Sequence, residues 1–281
     1  MRMRLTTTAT LFSFAIALAS LPVPAVADSF EYVTANNGQF GTVDLQTGKF
    51  TSIGATTGNP LAGIAALNGT LYGVNSSNQL VTIDPTTGTT TVVGATGASF
   101  IVVAGSGSHL FGMDASDNLY SINLTTGAAT LIGSTGITPL GNNAYTNSLA
   151  GNGSDLFYTE ELGGGGSVLA STLFRIDETT GISSAVGLTG IHDIAGAGFT
   201  DSTFYGYTSP FLVASTVPSL YSVDTTTGTA SFVATLDPAL EGSVFGGTTA
   251  VPEPSSWTFL LAGMVLIASA RILRRPRLGS R

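Results

Sequence analysis

Few side chains in this sequence of 281 residues are equipped for chemistry, and their types narrow what it can do. His109 and His192 are the only histidines, too few for the usual ligand set of a catalytic zinc, and with no cysteine there is no thiolate metal site, disulfide or thiol nucleophile. A Ser-His-Asp relay would have to use His192, yet the adjacent Asp193 would point to the opposite face of a strand. Carboxylates remain. Asp193, Glu241 and Glu160 are acids of which two, flanking a sugar bond, could serve as acid and base. Asp114-Ala-Ser-Asp117-Asn118 and Asn75-Ser-Ser-Asn78 set oxygen ligands at a spacing that suits calcium, although Asp and Asn are favoured in hairpin turns for their own sake. No other cofactor is called for. Gly163 to Gly166 lacks the ending of a phosphate loop and the helix of a dinucleotide fingerprint, and reads as a flexible insertion.

What must position these residues is a repeat. Five turns recur, Asp44-Leu-Gln-Thr-Gly48, Asp84-Pro-Thr-Thr-Gly88, Asn123-Leu-Thr-Thr-Gly127, Asp177-Glu-Thr-Thr-Gly181 and Asp224-Thr-Thr-Thr-Gly228, spaced 40, 39, 54 and 47 residues apart. Each has an Asx residue to accept backbone N–H bonds and a glycine for the left-handed position of a hairpin loop. Val43, Ile83, Ile122, Ile176 and Val223 precede the turns, the end of a strand with one buried face. Gly54, Gly94, Gly133 and Gly187 follow six residues after the turn glycine, with Ala234 in the fifth copy. A further strand lies upstream in every copy, starting at Phe30, Leu71, Leu110, Leu156 and Phe204. Four copies open with another, Gly- and Ala-rich, near 61–67, 100–104, 147–151 and 193–199.

The first copy lacks that opening strand, while Glu241 to Thr249, after the fifth copy, is an unpartnered segment of the same type. An all-β, five-bladed β-propeller over residues 28–250, closed by its C-terminal strand, uses both facts and removes the free edge. An open β-solenoid would have no use for the displaced strand. No WD dipeptide, kelch signature or Asp-box assigns a propeller subfamily. The longest links, Thr135 to Asn147, Glu160 to Ser171 and Thr208 to Pro218, all leave one face, where the inner strands also begin. That arrangement gathers Asn59, Ser99, Asn142, His192, Asp193 and Glu241 at the channel mouth, with Glu160 and Glu161 at the root of a loop, as the candidate ligand face.

Composition and the two ends supply the address. Only 9% of residues are charged and 43% are hydrophobic, the balance of a folded core rather than a disordered chain. Residues 28 to 250 hold 16 acids and two bases, so phosphate backbones are repelled and nucleic acid is set aside as a partner. Met1-Arg2-Met3-Arg4, an apolar run from Leu11 to Leu21 and Ala25-Val26-Ala27 form a secretory signal peptide, residues 1–27. Trp257 to Ala270 is an apolar run that spans about 21 Å as a helix, or about 28 Å with Ser255, Ser256 and Arg271 to Leu273 added. Arg271, Arg274, Arg275, Arg277 and Arg281 would keep its end cytoplasmic.

Val251-Pro252-Glu253-Pro254-Ser255-Ser256, one apolar helix and a terminal basic cluster together resemble the PEP-CTERM sorting signal of Gram-negative bacteria, here residues 251–281. The resemblance implies recognition by a membrane-embedded exosortase at Pro252, Glu253 and Pro254, a transient membrane anchor, removal of the tail, and association with exopolysaccharide at the cell surface or outside it. The expected function is therefore that of a non-catalytic binding or matrix protein of a secreted or surface-displayed kind. A polysaccharide-cleaving glycosidase using carboxylates at the channel mouth is the alternative.

Overall fold

Short runs of alternating burial, interrupted by Asx-Gly turns, make this a molecule of strands. A computed structural model describes residues 30–56, 60–137, 147–161, 170–209 and 217–249, and the segments expected to be a signal peptide and a sorting signal, with Pro252, Glu253 and Pro254, and the expected face residues Asn59 and Asn142 lie outside them. The first blade contains β1 (Phe30–Ala35), β2 (Gln39–Asp44) and β3 (Phe50–Ala55). The second is β4 (Leu61–Leu67), β5 (Thr70–Asn75), β6 (Gln79–Ile83) and β7 (Thr90–Ala95), and the third β8 (Val102–Ser106), β9 (His109–Met113), β10 (Asn118–Ile122) and β11 (Ala129–Ser134). The fourth comprises β12 (Asn147–Gly151), β13 (Leu156–Glu161), β14 (Ser171–Ile176) and β15 (Ser183–Leu188), and the fifth β16 (Ile194–Thr200), β17 (Thr203–Thr208), β18 (Ser219–Val223) and β19 (Ala230–Thr235).

The last strand, β20 (Val244–Thr249), pairs antiparallel with β1 and completes the first sheet in the order β20-β1-β2-β3. Each inner strand then touches the next around a closed ring, β20, β4, β8, β12 and β16. The five-bladed propeller is thus closed by the last strand of the described residues, and the open solenoid is excluded. Three inner strands begin later than expected, at Val102, Ile194 and Val244 instead of residues 100, 193 and 241.

The repeat turns behave as their residues dictate. Asp44 Oδ1 accepts from the N–H of Gln46 and of Thr47, both at 2.9 Å, and Gly48 takes φ +70. The second glycine of the repeat has a different job, which spacing alone does not reveal. A Cβ on Gly54, Gly94, Gly133 or Gly187 would overlap the carbonyl oxygen of Thr87, Thr126, Thr180 or Thr227 in the next blade's turn, at 2.6 Å in the Gly133 case. These glycines let each blade's outer strand receive its neighbour's turn. Ala234 breaks the pattern where the fifth blade meets the first, its methyl lying 3.1 Å from where a Cβ on Gly48 would stand.

Apolar wedges between blades supply the core. Val33, Val43, Leu45, Tyr207, Leu236 and Leu240 form one at the closing seam, drawn from the first and fifth blades and the link into β20. Inside that seam sits a carboxylate. Glu31 is fully buried, and its oxygens accept from Thr200 Oγ1 at 2.7 Å and Tyr207 OH at 2.6 Å. Gly198 and Gly247 leave room for it, since a Cβ on Gly247 would come within 2.5 Å of Oε2. Burial pushes the Glu31 carboxyl up to about 7, against the pull of the two hydroxyls.

Candidate functional site

The expected loop from Glu160 to Ser171 is shorter than its residues suggest, because β13 continues through Glu161 and pairs there with Ser171. Glu160 and Glu161 are strand residues, and alternation sends them to opposite faces of the fourth blade. The candidate acids divide accordingly.

Glu161 faces the fifth blade. Its Oε1 lies 3.4 Å from His192 Nδ1, and its Oε2 accepts from the backbone N–H of Asp193 at 3.3 Å. Asp193 is fully buried at φ +59, and its carbonyl accepts from Ser209 N at 2.9 Å. β16 begins only at Ile194, so His192 and Asp193 belong to the preceding link rather than to alternating positions of a strand. Three expected residues, Glu161, His192 and Asp193, therefore meet. His192 is 39% exposed and carries this group toward solvent.

Glu241 does not join them. It is exposed in the link between β19 and β20, its carbonyl accepts from the Asn37 side chain, and no hydrogen bond or ion pair of its carboxylate is found among the described residues. Ser99 is exposed at the rim of a cavity of about 450 Å³ on this face, lined also by Pro60, Asn75, Phe100, Asn147 and Phe245. A second cavity, of about 440 Å³, lies at the far end of the inner strands beside Asn152, Asp201 and Thr248.

Glu160 faces the third blade, and there the structure assembles residues that the sequence did not single out together. Tyr158 lies two residues earlier on the same face of β13, and Asn147 is the cross-strand partner of Glu160 on β12. Asp117 comes from the turn between β9 and β10. Burial pushes the Asp117 carboxyl up to about 6, with the Asp114 charge adding and the Tyr158 hydroxyl opposing. Burial and then the Asp117 charge push Glu160 to about 7. Both are deeply covered, at 3% and 1% exposure.

The calcium-like spacing of Asp114 to Asn118 has another explanation. Asp114 Oδ1 accepts from Ser116 N at 2.8 Å and Asn118 N at 3.0 Å, while Oδ2 accepts from Asn118 Nδ2 and Tyr120 OH, each at 3.0 Å. Those bonds outweigh partial burial and hold Asp114 below the ordinary carboxylate range. Asn75 is engaged in the same way, accepting from Ser77 N and Gln79 N. Both motifs are turns, and Asp117 is left over from the first with its carboxylate turned to the next blade. No set of three or more acidic or histidine side chains converges as a metal cluster among the described residues.

No family model matches the chain, and no curated protein matches it either. Solved structures similar to it include YjhT, at 14% identity and TM-score 0.41 over 65% of this chain and 72% of that one. A protein of unknown function from Bacteroides thetaiotaomicron VPI-5482 is similar at 16% identity and TM-score 0.49 over 78% of this chain. TolB from Acinetobacter baumannii is similar at 13% and 0.45 over 73%. The chain spans 60% of the second and 52% of the third of these proteins. At such identities and TM-scores they bear on neither ligand nor chemistry.

Proposed function

We propose that this is an exported propeller that presents its long-link face to an extracellular polymer as a non-catalytic binding or matrix protein. One observation carries the reading: the links that join β11 to β12, β13 to β14 and β17 to β18, far longer than the uniform Asx-Gly turns opposite, all leave one face of a rigid closed ring. The excess of acids over bases favours a neutral polysaccharide over an anionic one. The tail's resemblance to a PEP-CTERM signal supports an exosortase as processing partner, with the C-terminal helix as a temporary anchor and the cell surface or medium as destination.

A polysaccharide-cleaving enzyme is the second reading, favoured by the two carboxyls on that face that are pushed toward neutrality. Asp117 and Glu160, the raised carboxyls that interact across the third and fourth blades, replace Asp193 and Glu241 as its acids, because Glu241 stands apart at the rim and does not meet Asp193. At 3% and 1% exposure, however, Asp117 and Glu160 are out of reach of a glycosidic bond, which puts binding first. The test incubates the full chain, in mild detergent, with a panel of bacterial and plant polysaccharides and reads retained protein and released reducing ends together. Retention without release is the expected result. Release that disappears in Glu160→Gln or Asp117→Asn would replace this reading with the enzyme.

A further inference from the structure

The junction of the third and fourth blades buries two carboxyl groups, Asp117 and Glu160, with nothing positive beside them among the described residues. Tyr158 packs among Val102, Met113 and Leu119 of the third blade, so the face of β13 that bears Glu160 is pressed against that blade. Asp117 is set firmly opposite. Its backbone takes φ +57, its N–H donates to Asp114 O at 3.1 Å, and its carbonyl accepts from Thr135 N at 2.9 Å. The only lysine and arginine among the described residues are elsewhere: Lys49 is in the first blade's turn, and Arg175 Nε is bonded to Asp155 at 2.9 Å.

Glu160 Oε2 is buried and has no hydrogen-bond partner, and the Tyr158 hydroxyl, flanked by Asn147 and Asp117, makes no hydrogen bond of good geometry. A buried carboxylate in this condition needs either a proton or a cation. A proton on either oxygen would still leave Oε2 without a hydrogen-bond partner, whereas a cation would bind it directly. Carboxylates, an amide oxygen and a phenol are all hard oxygen donors, and the irregular meeting of two blades suits an ion tolerant of irregular coordination.

We propose that Asp117 and Glu160 clasp one calcium ion between the third and fourth blades, with Asn147 supplying a further oxygen and water completing the shell. The site is not the sequential Asp114-to-Asn118 turn. It locks two blades together beneath the ligand face, whatever that face binds.

Tyr158 makes the site visible, because a tyrosine beside a bound terbium ion sensitises its emission. The full chain in mild detergent is titrated with terbium and then with calcium, and bound calcium is counted by equilibrium dialysis. Expected are one calcium per chain, tyrosine-sensitised emission that calcium displaces, and a rise in Tm on adding calcium. Asp117→Asn and Glu160→Gln should each weaken calcium binding at least about tenfold and abolish the rise in Tm. Glu241→Gln, exposed and apart, should change neither. Dialysis that finds no calcium on the wild-type chain overturns the proposal whatever the variants do, as does binding that survives both substitutions. A Glu160→Gln chain that is more stable than wild type with or without calcium would show that the carboxyl only holds a proton, and would overturn it too.

Discussion

Replacing Glu31 by Gln should make the propeller more stable at pH 8, although it removes a residue with two good hydrogen bonds. The carboxyl is fully buried in the seam between the first and fifth blades, and its proton is held to about pH 7 instead of the ordinary 4.5. The unfolded chain ionises near the ordinary value, so between these two pH values the unfolded state releases a proton that the folded state keeps. Stability must fall as pH rises through this window and level off above it. At about 1.4 kcal/mol per pH unit the loss is about 3 kcal/mol. Glutamine fills the same space and cannot ionise. Its oxygen can accept from one of Thr200 and Tyr207 and its amide can donate to the other, at a cost of about 1 kcal/mol for the weaker pair. Urea unfolding of both proteins, from pH 4.5 to pH 8, measures the difference at each pH, so that carboxyls common to both cancel. The variant should be slightly less stable at the acid end and gain about 3 kcal/mol relative to wild type across the range. A difference that stays flat, or that moves against the variant as pH rises, would refute the assignment of a near-neutral carboxyl to the seam.

Gly94→Ala should destabilise by about 1–3 kcal/mol or more, read as a lower Tm, because its methyl would overlap the Thr126 carbonyl oxygen of the next blade. Ala234→Gly, at the one junction that already holds a methyl, should cost no more than about 1 kcal/mol. Substituting Ala for Pro252, Glu253 and Pro254 should leave the chain uncut and membrane-held in a host with an exosortase. Fractionation that finds the mutant released as the wild type is would remove the sorting assignment.

The blades were legible because the Asx-Gly turn and the strand end before it occur five times, and the closure because Glu241 to Thr249 is left over where the first copy is short. Chemistry was harder to read, since it resides where copies disagree. In the second strand of the five blades, Tyr72, Phe111, Phe157 and Tyr205 share one slot, and Glu31 occupies it in the first. Two positions later, Val33, Val74, Met113 and Thr159 share a slot that Tyr207 fills in the fifth. Each looks like a lone irregularity until the ring is closed. Closure places the first blade against the fifth, and the two exceptions become a hydrogen-bonded pair at 2.6 Å.

Tyr158 follows the same logic, standing where Gly73, Gly112 and Gly206 stand in three other copies, and it touches Asp117 across the neighbouring junction. Asp117 itself was hidden in plain view. Its turn reads as a unit, and only the bonds that commit Asp114 show that Asp117 belongs to a different group. Glu160 and Glu161 were misplaced for a reason of length, because the corresponding strand of the third blade stops at Met113, before either position, and that of the second at Asn75, the counterpart of Glu160, while β13 runs on through Glu161. That extra pairing decides their fates: one acid is sealed between blades, the other is turned to His192. A repeat protein constrains its junctions pairwise, so paired departures from the repeat at one junction are where a buried polar group finds its partner, and the Asp117 and Glu160 junction differs from the Glu31 seam in leaving Glu160 Oε2 with no donor to satisfy it.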